Sequence, residues 1–176
     1  MVEYRNVSQQ ELNREWFDGF IRRQNVTKCW RKEKGKWVVQ EAPFVDDWTE
    51  QDYQELLSSL RSTVARGGFV YAAFCGRLLK GFVSVEPGLF GGRHRYLDLT
   101  NLHVSEDMRR QGIGAALFAA AKAWAKQNGA RKLYLSAHSA VETQAFYHKM
   151  GCVEAVVYQQ KHVEAEPFDC QMECLL

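Results

Sequence analysis

The chain has 176 residues, 46% of them apolar, enough to bury a substantial core within one domain. Its 23 lysines and arginines face 21 aspartates and glutamates, and the resulting formal charge of +2 excludes the heavily basic composition of a dedicated nucleic-acid binder. No stretch reaches the roughly 18 uninterrupted apolar residues of a membrane span, and "MVEYRNVSQQ" lacks the basic start and apolar middle of a signal peptide, so the expected location is cytoplasmic.

In chain order, "VEYRNVS" alternates as a strand. "SQQELNREWFDGFIR" opens on a serine cap and predicts a helix with Leu12, Trp16, Phe17 and Phe20 on one face. Residues 22 to 36 are strongly basic and "EAPFVDDWTEQDYQE" after them is acidic, a pattern read as solvated faces. "TEQDYQELLSSLRSTVARGG" has a threonine cap, early acids and a glycine stop, which predicts a helix closing near Gly67. "GFVYAAFCGRLLKGFVSVEPG" predicts a hairpin turning at Gly76-Arg77, and "HRYLDLTNLHVS" a further strand. From about Gly112 to Asn128 a helix is predicted, with Ile113, Ala116, Leu117, Ala120, Ala121 and Trp124 as its apolar stripe. "KLYLSAH" then reads as a buried strand, "VETQAFYHKMG" as a short helix ending at Gly151, and "CVEAVVYQQ" and "FDCQMECLL" as closing strands. This alternation predicts a mixed sheet with helices on its faces, an α/β (α+β) domain.

Five cysteines, an odd count with no CxxC spacing, predict free thiols in a reducing compartment. The five histidines are scattered and no pair sits with a carboxylate or thiol at ligand spacing, so no metal is expected.

The chemistry concentrates in "MRRQGIGAAL", residues 108 to 117. Gly112 and Gly114 let a ligand approach the backbone, and the unpaired N–H groups of a helix's first turn, at the positive end of its dipole, attract an anion. Arg109 and Arg110 add full charges, a combination suited to a phosphate or diphosphate. No Lys-Ser/Thr follows at P-loop spacing and no GxGxxG is present, so neither ATP nor a dinucleotide is indicated. Alone, so short a pattern fits a solvated strand-to-helix turn equally well.

Taken with the strand "YLDLTNLHV" before it and "AFYHKMGC" after it, this stretch resembles the GNAT superfamily of acyl-CoA-dependent N-acyltransferases. Arg109, Gly112 and Gly114 match that family's R/Q-x-x-G-x-G/A motif, and Phe146-Tyr147 with Gly151-Cys152 match its later block; the resemblance covers roughly residues 68 to 160. It implies one domain over 1–176: an N-terminal strand and acceptor-side helices to residue 67, a cofactor-binding core over 68–160, and a closing strand over 161–176. It also implies a mostly antiparallel sheet splayed in a V between its central parallel strands. Acetyl-CoA is the implied cosubstrate, its diphosphate held by backbone amides of Arg109, Arg110, Gln111, Gly112, Ile113, Gly114 and Ala115, its pantetheine arm beside Leu102, His103 and Val104. At the family's pantetheine-binding asparagine this chain has Ala140, which leaves Ser139 or Thr143 to supply a hydroxyl instead.

The same resemblance makes Tyr147 the acid that protonates the leaving sulfur. Asp98 on the preceding strand is the base for the amine, with Glu86 as its rival. A small-molecule or peptide amine is the implied acceptor, with neither nucleic acid nor membrane as partner; homodimer assembly is left open. Specificity is expected in the basic segment and in the tail, where Glu164, Glu166 and Asp169 are suited to a cationic amine. A non-catalytic acyl-CoA sensor is the alternative, and it would need the diphosphate loop but not Tyr147. A third class, nucleic-acid binding through residues 22 to 36, rests on Trp30 and Trp37 among the basic residues.

Overall fold

In the computed structural model, which describes residues 1–176, the elements are β1 (Val2–Asn6), β2 (Arg23–Glu33), β3 (Lys36–Asp47), α1 (Glu50–Ala65), β4 (Phe69–Cys75), β5 (Leu78–Val85), β6 (Tyr96–Val104), α2 (Ile113–Gln127), β7 (Lys132–Ala137), α3 (Val141–Lys149), β8 (Val153–Glu154), α4 (Gln160–Ala165) and β9 (Cys170–Leu175). Seven strands form one sheet in the order β1-β4-β5-β6-β7-β9-β8, while β2 and β3 pair only with each other. Every neighbouring pair is antiparallel except β6 and β7.

Alternation along β4 buries both of its faces. Phe69 and Ala73 join Leu117, Ala121 and Ala125 of α2 in one core, whereas Val70, Ala72 and Phe74 join Leu57 and Leu60 of α1 in another. The predicted helix over α2 is therefore present, with Ile113, Leu117 and Ala121 buried, Ala116 exposed, and Phe118 and Ala125 added to its inner face. Gly81 of β5 sets how close α2 can come: a Cβ there would stand 2.9 Å from Ile113 Cγ2 and 3.0 Å from Leu117 Cδ1. Gly81→Ala is expected to cost about 1–3 kcal/mol of stability through overpacking, seen as a lower urea midpoint at unchanged slope.

The two central strands part early. β6 and β7 pair only at Tyr96↔Lys132, Leu97↔Leu133 and Asp98↔Tyr134; beyond that β6 stays with β5 as far as Val104 and β7 stays with β9 as far as Ala137. This is the V-shaped splay, and it leaves the β7-facing backbone edge of Leu99–Val104 without a strand partner. Within it, Val85 pairs with Leu99 but Ser84 with Asn101, so Thr100 is an extra residue in β6. The bulge reverses the faces: Leu97 and Leu99 pack toward α2 before it, Leu102 and Val104 after it.

Two expectations are corrected. Residues 8 to 22 form no helix but two short 3-10 turns, Gln9–Glu11 and Arg14–Phe17, because Asn13 restarts the chain by accepting from Trp16 N, and Gly19 has φ 76°. Leu12, Trp16, Phe17 and Phe20 are nonetheless buried against α1 and Phe82. The basic run, mostly exposed as expected, forms half of the β2–β3 hairpin, closed by Lys34 and Gly35 at φ 48° and 80°, a two-residue turn matched to strand twist. Finally, "CVEAVVYQQ" yields only two strand residues, Val153–Glu154, and the tail expected as a single closing strand contains α4 before β9. By contrast α1 begins where predicted, Thr49 and Asp52 closing a reciprocal cap, and the β4–β5 hairpin turns at Gly76-Arg77. No helix is long and apolar enough to cross a membrane.

Candidate active site

The N-terminus of α2 opens at the end of the splay. Gly112, the N-cap, has φ 83°, and the helix's first internal bond runs from Ala116 N to Gly112 O at 3.0 Å, which leaves the N–H groups of Ile113, Gly114 and Ala115 without helical partners. A Cβ placed on Gly112 would meet no atom within 4 Å, so this backbone faces open space. Arg110 is also held left-handed, at φ 63°, an unfavourable state for a non-glycine residue of the kind found at ligand-binding loops. Gly114 serves packing instead, since a Cβ there would press to 3.3 Å from the Phe146 ring and 3.6 Å from Val104, so its smallness seats α3 against α2.

These elements enclose a cavity of about 780 Å³. Leu102, His103 and Val104 of β6, Arg109, Arg110, Gly112, Ile113, Gly114 and Ala115 of the loop and α2, and Thr143, Phe146 and Tyr147 of α3 line it. Gln111 turns away, its Nε2 donating to Asp107 O at 3.5 Å. Ser139 is buried off the wall, its hydroxyl accepting from Arg31 at 2.6 Å, so Thr143 is the hydroxyl that faces the cavity. Arg109 is partly buried, which lowers its basicity, and its Nε donates to Val104 O at 3.3 Å.

Tyr147 is 7% exposed, its ring 6.1 Å from that of Phe118 and 5.1 Å from that of Phe146. Its hydroxyl hydrogen-bonds to no protein group, and burial raises its pKa above the ordinary tyrosine value of 10.0, so it remains a proton donor across the physiological range.

His103 lies edge-on to Trp48 at 4.8 Å, and burial, with the Arg22 and Arg109 charges nearby, pushes its imidazole down to about 3. A folded-state value below the ordinary 6.5 means the unfolded chain takes up the proton first. Stability is then full above about pH 6.5 and lost as pH falls toward 3. His103→Gln is expected to flatten the acid limb of a urea-midpoint against pH profile in that window; an unchanged limb would contradict it.

Asp98 sits at the last paired position before the splay opens, 2% exposed, on the face opposite α2 and off the cavity wall. Its Oδ2 lies 2.7 Å from His162 Nε2 and 3.0 Å from Lys161 Nζ, both of α4, while Oδ1 is buried without a partner. His162 stacks on Tyr134 at 5.9 Å, and Asp169 nearby accepts from Ser136 at 3.0 Å. Burial raises the Asp169 carboxyl against the pull of the Ser136 bond. Glu86 is committed elsewhere, to Thr63 at 2.5 Å and to Arg66. No group of three or more His, Cys, Asp or Glu side chains is placed to hold a metal ion.

Two segments that the sequence marked only for acceptor specificity play other parts. The chain entering β2 supplies Arg22, Gln24 and Asn25 to the cavity wall, and α4 supplies the partners of Asp98. The first had a signal in the two-residue period of "RRQNVTKCW", masked by charge and broken by the register shift between Val26 and Lys28.

Against known proteins, residues 9–152 match the model of the Acetyltransferase (GNAT) family. Among solved structures, nourseothricin acetyltransferase is 16% identical, with a TM-score of 0.71 over 99% of this chain and 98% of its own. A candidate streptothricin acetyltransferase from Bacillus anthracis str. Ames, solved with acetyl coenzyme A, is 17% identical, with a TM-score of 0.70 over 100% of this chain and 99% of its own. The PaiA N-acetyltransferase of Thermoplasma acidophilum, solved with coenzyme A, is 15% identical, with a TM-score of 0.61 over 100% and 99%. No curated protein matches the chain in sequence.

Proposed function

This chain belongs to the GNAT acetyltransferase family, and from that premise we propose that it carries the acetyl group of acetyl-CoA to a primary amine by direct attack within a ternary complex. The observation that carries the reading is the meeting, in one cavity, of unpaired α2 N–H groups, the free edge of β6 and the unpartnered Tyr147 hydroxyl. The residues fit the cosubstrate, because the open space over Gly112 admits a diphosphate to the backbone amides there. Arg109, Arg110 and the first turn of α2 would hold that diphosphate; Leu102 to Val104 and Thr143 would hold the arm.

Bound acetyl-CoA supplies an activated thioester with a good leaving group. An amine of pKa about 10.4 is protonated at neutral pH and must lose a proton before it attacks. Asp98, with its buried free Oδ1, is our candidate acceptor of that proton, and His162 and Lys161 orient its carboxylate. The β6 edge near Leu102 donates N–H to the negative charge that develops on the acyl oxygen, and Tyr147 protonates the departing sulfur.

For the acceptor we favour a small cationic amine. Asp98 and Asp169 lie on the sheet face opposite α2, while Glu164 and Glu166 are exposed on the segment that leads to β9. The two neighbours named for streptothricin-class substrates share the fold over nearly the whole chain.

The test is calorimetric titration with acetyl-CoA, with free coenzyme A and ATP as comparators. A panel of a streptothricin, a polyamine and a peptide with a free N-terminus follows, read by thiol release. No acetyl-CoA binding would reject the reading. Asp98→Asn is expected to lower kcat on the best amine by about a hundredfold at unchanged acetyl-CoA affinity; unaltered turnover would move the base role to water.

A further inference from the structure

Arg22 lies just before β2, at the start of the basic segment and outside the motifs that carry the cofactor assignment, yet it lines the same cavity. Its side chain is 8% exposed, one terminal nitrogen is bound to Asp46, and the guanidinium lies over the Trp48 ring at 4.9 Å. Asp46 and Trp48 hold the guanidinium plane, and Nη1, which has no hydrogen-bond partner in the protein and is not buried, is its free donor.

The backbone around it shows where that donor stands. Glu106 N donates to Ile21 O and Ile21 N to Ser105 Oγ, both at 2.9 Å, which fastens this segment to the end of β6 where the diphosphate loop begins. Two residues on, Gln24 Nε2 reaches Thr143 of α3 at 3.4 Å. The start of β2 thus crosses from one wall of the cavity to the other. Arg22 lines the same cavity as His103 and Arg109, beside the edge assigned to the arm.

We propose that residues 22–25 form a strap across the cofactor channel and that Arg22 is a cofactor-binding residue whose free Nη1 donates to an oxygen of the pantetheine arm. This rests on the assignment of acetyl-CoA to the cavity. Arg22 is also tied to Asp46 of β3, so the strap is joined to the hairpin whose Phe44 packs at a tilt against His138, centroids 5.6 Å apart.

The experiment is calorimetric titration of wild type, Arg22→Lys and Arg22→Gln with acetyl-CoA and with 3′-phosphoadenosine 5′-diphosphate, which keeps the diphosphate and lacks the arm. Both variants are expected to bind acetyl-CoA about tenfold more weakly, the loss of one charge-assisted hydrogen bond, with affinity for the armless nucleotide unchanged. Arg22→Lys keeps the charge opposite Asp46 and so decides the matter even if Arg22→Gln fails to fold. Equal weakening toward both ligands would overturn the contact with the arm, since it would reflect long-range charge at the diphosphate. Unchanged acetyl-CoA affinity in a folded variant would overturn this inference alone, whereas a wild type that ignores acetyl-CoA would overturn it together with the cavity assignment.

Discussion

Gly112→Val abolishes acetyl-CoA binding and leaves the fold assembled: that is the result expected from the open space above this residue. No protein atom lies within 4 Å of the added Cβ, so the branched side chain enters the region assigned to the diphosphate rather than the core. A φ of 83° adds backbone strain of about 1–2 kcal/mol, tolerable for a chain with two buried cores. The loss in affinity is larger, because several N–H groups are denied their anion at once. With each such bond contributing about 1.5–3 kcal/mol, roughly a hundredfold or more is expected by calorimetry. Gly76 provides the matched control. It is also left-handed, at φ 60°, with nothing within 4 Å, but it turns the β4–β5 hairpin and does not line the cavity. Gly76→Val should reproduce the strain without the loss of binding; equal loss in both would make the Gly112 effect one of stability.

Tyr147→Phe tests the chemistry rather than the binding. The substitution removes one oxygen and keeps the ring between Phe118 and Phe146, and because that oxygen has no protein partner, thermal stability should hardly change. Turnover should fall on the order of a hundredfold, the contribution of a positioned general acid, at unaltered acetyl-CoA affinity. The raised pKa predicts the pH behaviour. A hydroxyl that keeps its proton beyond pH 10 leaves the alkaline limb of wild-type kcat free of a Tyr147 ionisation. If Tyr147→Phe keeps wild-type kinetics, the ring is there for packing and the sulfur takes its proton from solvent.

Much of the cofactor half was legible because its signals are local. The cap at Thr49, the turn at Gly76-Arg77 and the stripe of α2 each depend on neighbours a few residues away, and the same holds for the loop from Arg109 to Gly114. Local patterns misled where the chain's fate was settled at a distance. The spacing of Leu12, Trp16, Phe17 and Phe20 suits a helix, but those rings are gathered by Phe82, Trp48 and Tyr53 from other elements, and two 3-10 turns deliver them as well. The charges of residues 22 to 36 hid a strand because many are spent across the fold. Lys32 and Trp37 hold Glu154, and Arg31 holds Ser139 while lying over Phe168 at 4.5 Å.

By itself the sequence determined a mixed α/β domain and the glycine-flanked start of α2, since caps, turn glycines and apolar periods are properties of adjacent residues. Only the tertiary structure decided what faces what. The bulge at Thr100 chose which of β6's side chains meet α2; α4 gave Asp98 its neighbours Lys161 and His162; and the β2–β3 hairpin brought Arg22 to a cavity built largely from residues about eighty positions or more away. Those contacts depend on register and chain crossing, which enter the energy only when distant segments close on one another, and a one-dimensional pattern of charge and hydropathy carries no record of them.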